Sequence, residues 1–115
     1  MTTDINFDVV ESDHNGIPVL TVRGEVDVST APELRERLML LAERGCTTAV
    51  VDLSDVSFVD STALGVLVSG VKRLRSAGGE LNLVITQPHI TKVFDITGLT
   101  EVFSIYPTLD AAVAG

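Results

Sequence analysis

Asp60, Ser61 and Thr62 set one carboxylate and two hydroxyls in a row, between the apolar pair Phe58-Val59 and a helix-patterned stretch. Three kinds of chemistry fit that row. The simplest is capping, because Ser, Thr and Asp side chains accept hydrogen bonds from the free amides of a helix's first turn. The second is phosphorylation of Ser61, with Thr62 as the nearest competing acceptor. A helix N-terminus tolerates an anion through its amides and dipole, so modification need not unfold the domain. The third is covalent catalysis by Ser61 or Asp60. A nucleophilic serine needs a positioned base, and the imidazoles of His14 and His89 stand at no spacing that argues for pairing with it. Capping and phosphorylation are compatible with each other, and the catalytic reading ranks last. Ser57 is a weaker acceptor, since it precedes Phe58-Val59 and is expected to pack with them.

Other chemistry finds little support. Gly65 to Gly70 followed by Lys72 faintly echoes a phosphate-binding loop, but the lysine comes one place late and no Ser or Thr follows it. Asp52, Asp55 and Asp60 lack the spacing of a calcium loop. Ser61 lacks the flanking glycines of a nucleophile elbow. Cys46 is the single cysteine, so it forms no internal disulfide and belongs to no thiolate cluster. Its expected role is that of a small apolar residue near a strand. Neither a metal nor a cofactor is expected, nor enzymatic activity.

The elements that must position this row fit in one domain, residues 1–115, long enough for one hydrophobic core. Aromatics make up only 4%, so Val, Leu, Ile and Ala must do most of the packing. A net charge of −8 sets the surface against nucleic acid and anionic membranes. The first residues lack the basic start and apolar core of a signal peptide. No apolar run approaches the roughly 18 residues that cross a bilayer. A cytoplasmic protein without membrane insertion, monomer or weak dimer, is the expectation.

Ile5 to Val10 and Val19 to Val22 read as strands joined through the turn Ser12–Gly16, an antiparallel hairpin ended by Gly24. Thr30 and Glu33 have capping-box spacing at the start of a first helix, with Leu34, Leu38 and Leu41 on its inward face and Gly45 as its stop. Ala49 to Leu53 reads as a buried strand. After Asp55 to Asp60 a second helix is predicted, with Leu64, Leu67, Val68, Val71 and Leu74 facing inward. Lys72, Arg73 and Arg75 suit its carbonyl end, and Gly78-Gly79 ends it. A strand at Leu81 to Ile85, a helix from Pro88 to Thr97 before Gly98, an edge strand at Phe103 to Tyr106 and a helix within Pro107 to Ala114 follow. This alternation predicts an α/β fold with a mixed sheet of four to five strands and helices mainly on one face.

From Ile5 to Leu109 the chain resembles the anti-sigma factor antagonists, small proteins of the STAS fold. The landmarks are Gly24-Glu25-Val26-Asp27, Val50-Val51-Asp52-Leu53 and Phe58-Val59-Asp60-Ser61-Thr62-Ala63-Leu64-Gly65, with Gly78-Gly79, Leu81 to Val84 and Phe94-Asp95-Ile96-Thr97-Gly98-Leu99 beyond them. The resemblance implies that Ser61 is phosphorylated by an anti-sigma factor with serine kinase activity, which binds the unphosphorylated antagonist and so frees the sigma factor. It implies a PP2C-type serine phosphatase that reverses the modification. Asp27, Asp60, Ser61 and Thr62 would then meet the partner. Ala63 stands where many members carry glycine, a departure expected to bear on the approach to the kinase. The rival expectation is a constitutive STAS adaptor, a subunit of a transporter or signalling scaffold with no phosphorylation cycle.

Overall fold

The computed structural model describes residues 7–45 and 48–115; Ile5 and Cys46 lie outside them. Strands β1 (Phe7–His14) and β2 (Ile17–Val26) form the expected hairpin, but its turn is shorter than the sequence suggests. Asn15 and Gly16 both take positive φ, 57° and 87°. That pair makes a two-residue turn whose twist suits the strands, so pairing continues to His14↔Ile17.

Helix α1 (Ala31–Glu43) packs its predicted leucines inward, yet the capping box does not form. Thr30 Oγ1 instead donates to Glu25 O at 2.9 Å and accepts from Asp27 N at the same distance. The hydroxyl is spent on the end of β2, which removes it from the helix amides. Arg37 Nη2 on α1 donates to Val9 O at 3.2 Å and Arg44, the C-cap of α1, pairs with Glu11, so two side chains reach over β1.

Two stretches read as strand ends prove to lie within strands that continue past register shifts. β2 runs through Gly24, whose φ of 94° lies at a register shift against the next strand. β3 (Thr48–Val59) likewise continues through Asp55–Val59, where the sequence suggested a connection. Between Thr21 and Arg23, and again between Gly24 and Glu25, β3 advances one residue more than β2. Each extra residue flips the alternation of inward and outward side chains. Leu53, Val56 and Val59 are therefore all buried, while Phe58 is turned out and Ser57 is exposed rather than packed. The Asp52 carboxylate accepts from the amide and hydroxyl of Ser54 at the first bulge.

Helix α2 (Ser61–Ser76) buries Leu64, Leu67, Val71 and Leu74 as expected, together with Ala63, Val66 and Gly70. Its exit is a Schellman turn: Gly79 N donates to Leu74 O and Gly78 N to Arg75 O, with Gly78 at φ 84°. β4 (Glu80–Val84), α3 (Pro88–Ile96), a short 3-10 turn (Leu99–Glu101), β5 (Ser104–Tyr106) and α4 (Leu109–Ala114) complete the chain. The five described strands lie in sequence order, antiparallel between β1 and β2 and parallel thereafter. The main core joins the inward residues of α1, α2 and α3 on one sheet face. On the other face Ala112 of α4 closes a small cluster over Val19, Val50 and Val84, and buried Asn82 donates to Ala112 O.

Candidate functional site

β2 and β3 end side by side. Val26 pairs with Val59, and Asp60 N donates to Val26 O at 3.2 Å. Asp27 follows one strand end and Asp60 the other, so Asp27, Asp60, Ser61 and Thr62 meet at one end of the sheet. The carboxyl ends of parallel strands are where open α/β sheets carry their sites.

Of the capping candidates, Asp60 takes the role. It is extended, and its Oδ1 accepts from Ala63 N at 2.9 Å. Ser61 thereby becomes the first helical residue, exposed, and its hydroxyl makes no hydrogen bond among the described residues. Thr62 is exposed beside it. Among the described residues neither His14 nor His89 hydrogen-bonds to Ser61; His89 Nε2 lies 2.8 Å from Ser57 O. Ala63 is fully buried, so its methyl departs from the resembled glycine on the core side, away from an incoming partner. The division of labour has a measurable consequence. Asp60→Ala strands a helix amide and is expected to lower stability by about 1 kcal/mol. Ser61→Ala should stay within about 0.5 kcal/mol of the parent. Urea denaturation of both variants checks the pair.

Asp27 organises the loop between β2 and α1. Its Oδ1 accepts from Ser29 Oγ at 2.7 Å, Ser29 N at 2.9 Å and Thr30 N at 3.2 Å. The Ser29 hydroxyl, then the Ser29 amide, hold this carboxyl below the ordinary aspartate value, with Thr30 acting in the same direction. The loop gains from the ionised form, so this contribution is full above the ordinary carboxylate range. It fades as pH falls through the lowered pKa.

Sequence reasoning missed the apolar rim of the site. Val28, at the tip of the Asp27 loop, is 69% exposed, and Phe58, paired in register with Glu25, is 48% exposed. The signal was present in Leu53, Val56 and Val59, a spacing of three that no regular strand can bury on one face. The result is an open hydroxyl surface at the start of α2 with the carboxylates of Asp27 and Asp60, and exposed Val28 and Phe58 on the neighbouring loop and strand end. Lys72, Arg73 and Arg75 sit at the opposite end of the helix.

Known proteins are similar to this chain in sequence and fold. The STAS domain model matches residues 8–112. The chain is 43% identical over 102 residues to an anti-sigma-B factor antagonist of Bacillus subtilis, covering 89% of this chain and 91% of that protein. An anti-sigma-B factor antagonist of Listeria monocytogenes is 35% identical over 102 residues, 89% of each chain. The crystal structure of an anti-sigma factor antagonist from Mycobacterium paratuberculosis superposes with a TM-score of 0.88 at 31% identity, covering 99% of this chain and 97% of that one. Among the described residues no helix is long and apolar enough to cross a membrane. With a family model spanning nearly all of the sheet and helices, and antagonists related over most of their own length, this chain belongs to the STAS domain family, among the anti-sigma factor antagonists.

Proposed function

We propose that this chain is a cytoplasmic, single-domain partner-switching protein: unphosphorylated, it binds an anti-sigma factor that is also a serine kinase, and the sigma factor is released. Phosphorylation of Ser61 by that kinase ends the interaction, and a PP2C-type phosphatase restores it. The chain itself catalyses nothing in this cycle. The observation that carries the reading is the Ser61 hydroxyl, exposed and without a hydrogen bond among the described residues at the start of α2 while Asp60 does the capping. A side chain with no structural duty can gain and lose a phosphoryl group without disturbing the fold.

Val28 and Phe58 give the partner apolar surface beside the acceptor, and interfaces commonly set such side chains within a polar margin. Thr62 and Asp60 lie within the same footprint, and Asp27 shapes the loop that presents Val28. The test is incubation with the cognate anti-sigma factor and ATP, followed by mass mapping. Phosphate should appear on Ser61, and Ser61→Ala should take none while still capturing the anti-sigma factor. Full modification of Ser61→Ala would reject the site. Failure of the unmodified chain to displace the sigma factor would reject the function.

A further inference from the structure

Gln87 and His89 stand where a strand is missing. β4 pairs with β3 only from Thr48 to Asp52, so among the described residues the rest of β3 has no strand on that side. This overhanging stretch contains both bulges, and bulges leave backbone groups outside the ladder. Such groups need partners wherever water is partly shut out. The start of α3 supplies them. Gln87 Nε2 donates to Ser54 O at 2.9 Å and to Val56 O at 2.8 Å, and His89 Nε2 lies 2.8 Å from Ser57 O. A ring nitrogen facing a carbonyl oxygen acts as the donor, so His89 carries its hydrogen on Nε2. Across the stretch, Asp60 N ties the same segment to Val26 O. The segment is thus held from two sides, by β2 and by two side chains of the α3 entrance.

We infer that Gln87 and His89 are positioning residues: they lock the bulged end of β3 in the form that turns Phe58 outward and presents Ser61 to the partner. The inference rests on the reading of Ser61 as the phosphoacceptor. Without these donors the overhang samples several arrangements, and only a fraction of molecules offers the docking surface. Apparent affinity falls by that fraction, while the chemical step in molecules already docked is unchanged. A loss of positioning therefore separates KM from kcat.

The experiment uses the full chain with Gln87→Met, His89→Phe and His89→Gln. Methionine and phenylalanine keep bulk but remove the donor; glutamine restores an amide donor at similar reach. In phosphorylation of Ser61 by the anti-sigma factor, Gln87→Met and His89→Phe should raise KM roughly three- to tenfold with kcat within about twofold. His89→Gln should return near the parent value. Hydrogen exchange on the isolated chain supplies a reading that needs no partner: amides of Asp55–Asp60 should lose protection while those of α1 and β4 keep theirs. Unchanged KM with unchanged exchange in Gln87→Met would overturn the inference. So would an equal loss of protection in every element, which marks a merely structural role. His89→Gln as impaired as His89→Phe would remove His89 from it. If the parent chain is not modified at Ser61, the functional reading falls and the docking claim with it, whereas exchange still decides whether the two side chains hold the overhang.

Discussion

Stoichiometric phosphorylation of Ser61 is expected to weaken capture of the anti-sigma factor by about five-fold to a thousand-fold. The range follows from the charge added and the surroundings that receive it. A phosphoryl group brings about −1.5 to −2 at pH 7. Were the docked partner to set one carboxylate about 7 Å away, the phosphate would be opposed by roughly 1 to 4 kcal/mol as the effective dielectric falls from water-like to about 20. The first-turn amides of α2 can receive the anion, but the basic side chains of α2 itself stand too far away to neutralise it. Asp60 already occupies the Ala63 amide, and the chain carries a net charge of −8. Lys72, the first of the basic residues at the far end of α2, lies about 16 Å along the helix at 1.5 Å per residue. That is well beyond the Debye length of about 8 Å at physiological salt. Binding titrations of modified and unmodified protein at two salt concentrations measure the effect. Equal dissociation constants would sink the switch, and a gap that narrows with salt would identify its electrostatic share.

Phe94→Ala is expected to destabilise the fold by about 3 to 5 kcal/mol, the range for removing a buried aromatic ring. Phe94 is fully buried and meets Phe103 edge-on with ring centroids 5.8 Å apart. With aromatics at 4% of the sequence, few rings are at hand to refill the space. Helix α3 has nine residues, too few to persist by propensity alone, and Ile90 and Phe94 are its buried anchors. Truncating one anchor should loosen the entrance of α3, and with it the donors to β3. Urea denaturation gives the loss of stability. A value below about 1 kcal/mol would show that the neighbouring side chains collapse into the cavity.

Much of this was legible in the residues because local and long-range preferences agree. The leucines of α1, the apolar stripe of α2 and Gly78-Gly79 each sit where periodicity or backbone freedom demands. The landmarks around Asp60-Ser61 pointed to a helix entrance, which the structure has there, and the geometry assigned the cap to Asp60. What periodicity hid were the two bulges of β3. A rule of alternation cannot put Leu53, Val56 and Val59 on one face, and only the register shifts against β2 show how all three are buried while Phe58 turns out. The Thr30–Glu33 spacing failed for a related reason. The hydroxyl found better partners at the end of β2, contacts between elements that a local pattern does not contain. Gln87 escaped notice because its task is set by how far β4 falls short of β3, a mismatch in lengths that no motif records.

The guanidinium of Arg37 over Val9 O, with the Arg44–Glu11 pair further along β1, bears on how the protein behaves in a crowded cell. An outer strand with a continuous row of bare backbone groups invites other chains to add to it. Here the row is interrupted by bulky, charged neighbours reaching across from a helix. Copies that stacked edge to edge would be withdrawn from any other binding. Two arginines thus blunt an edge that would otherwise offer itself to further copies.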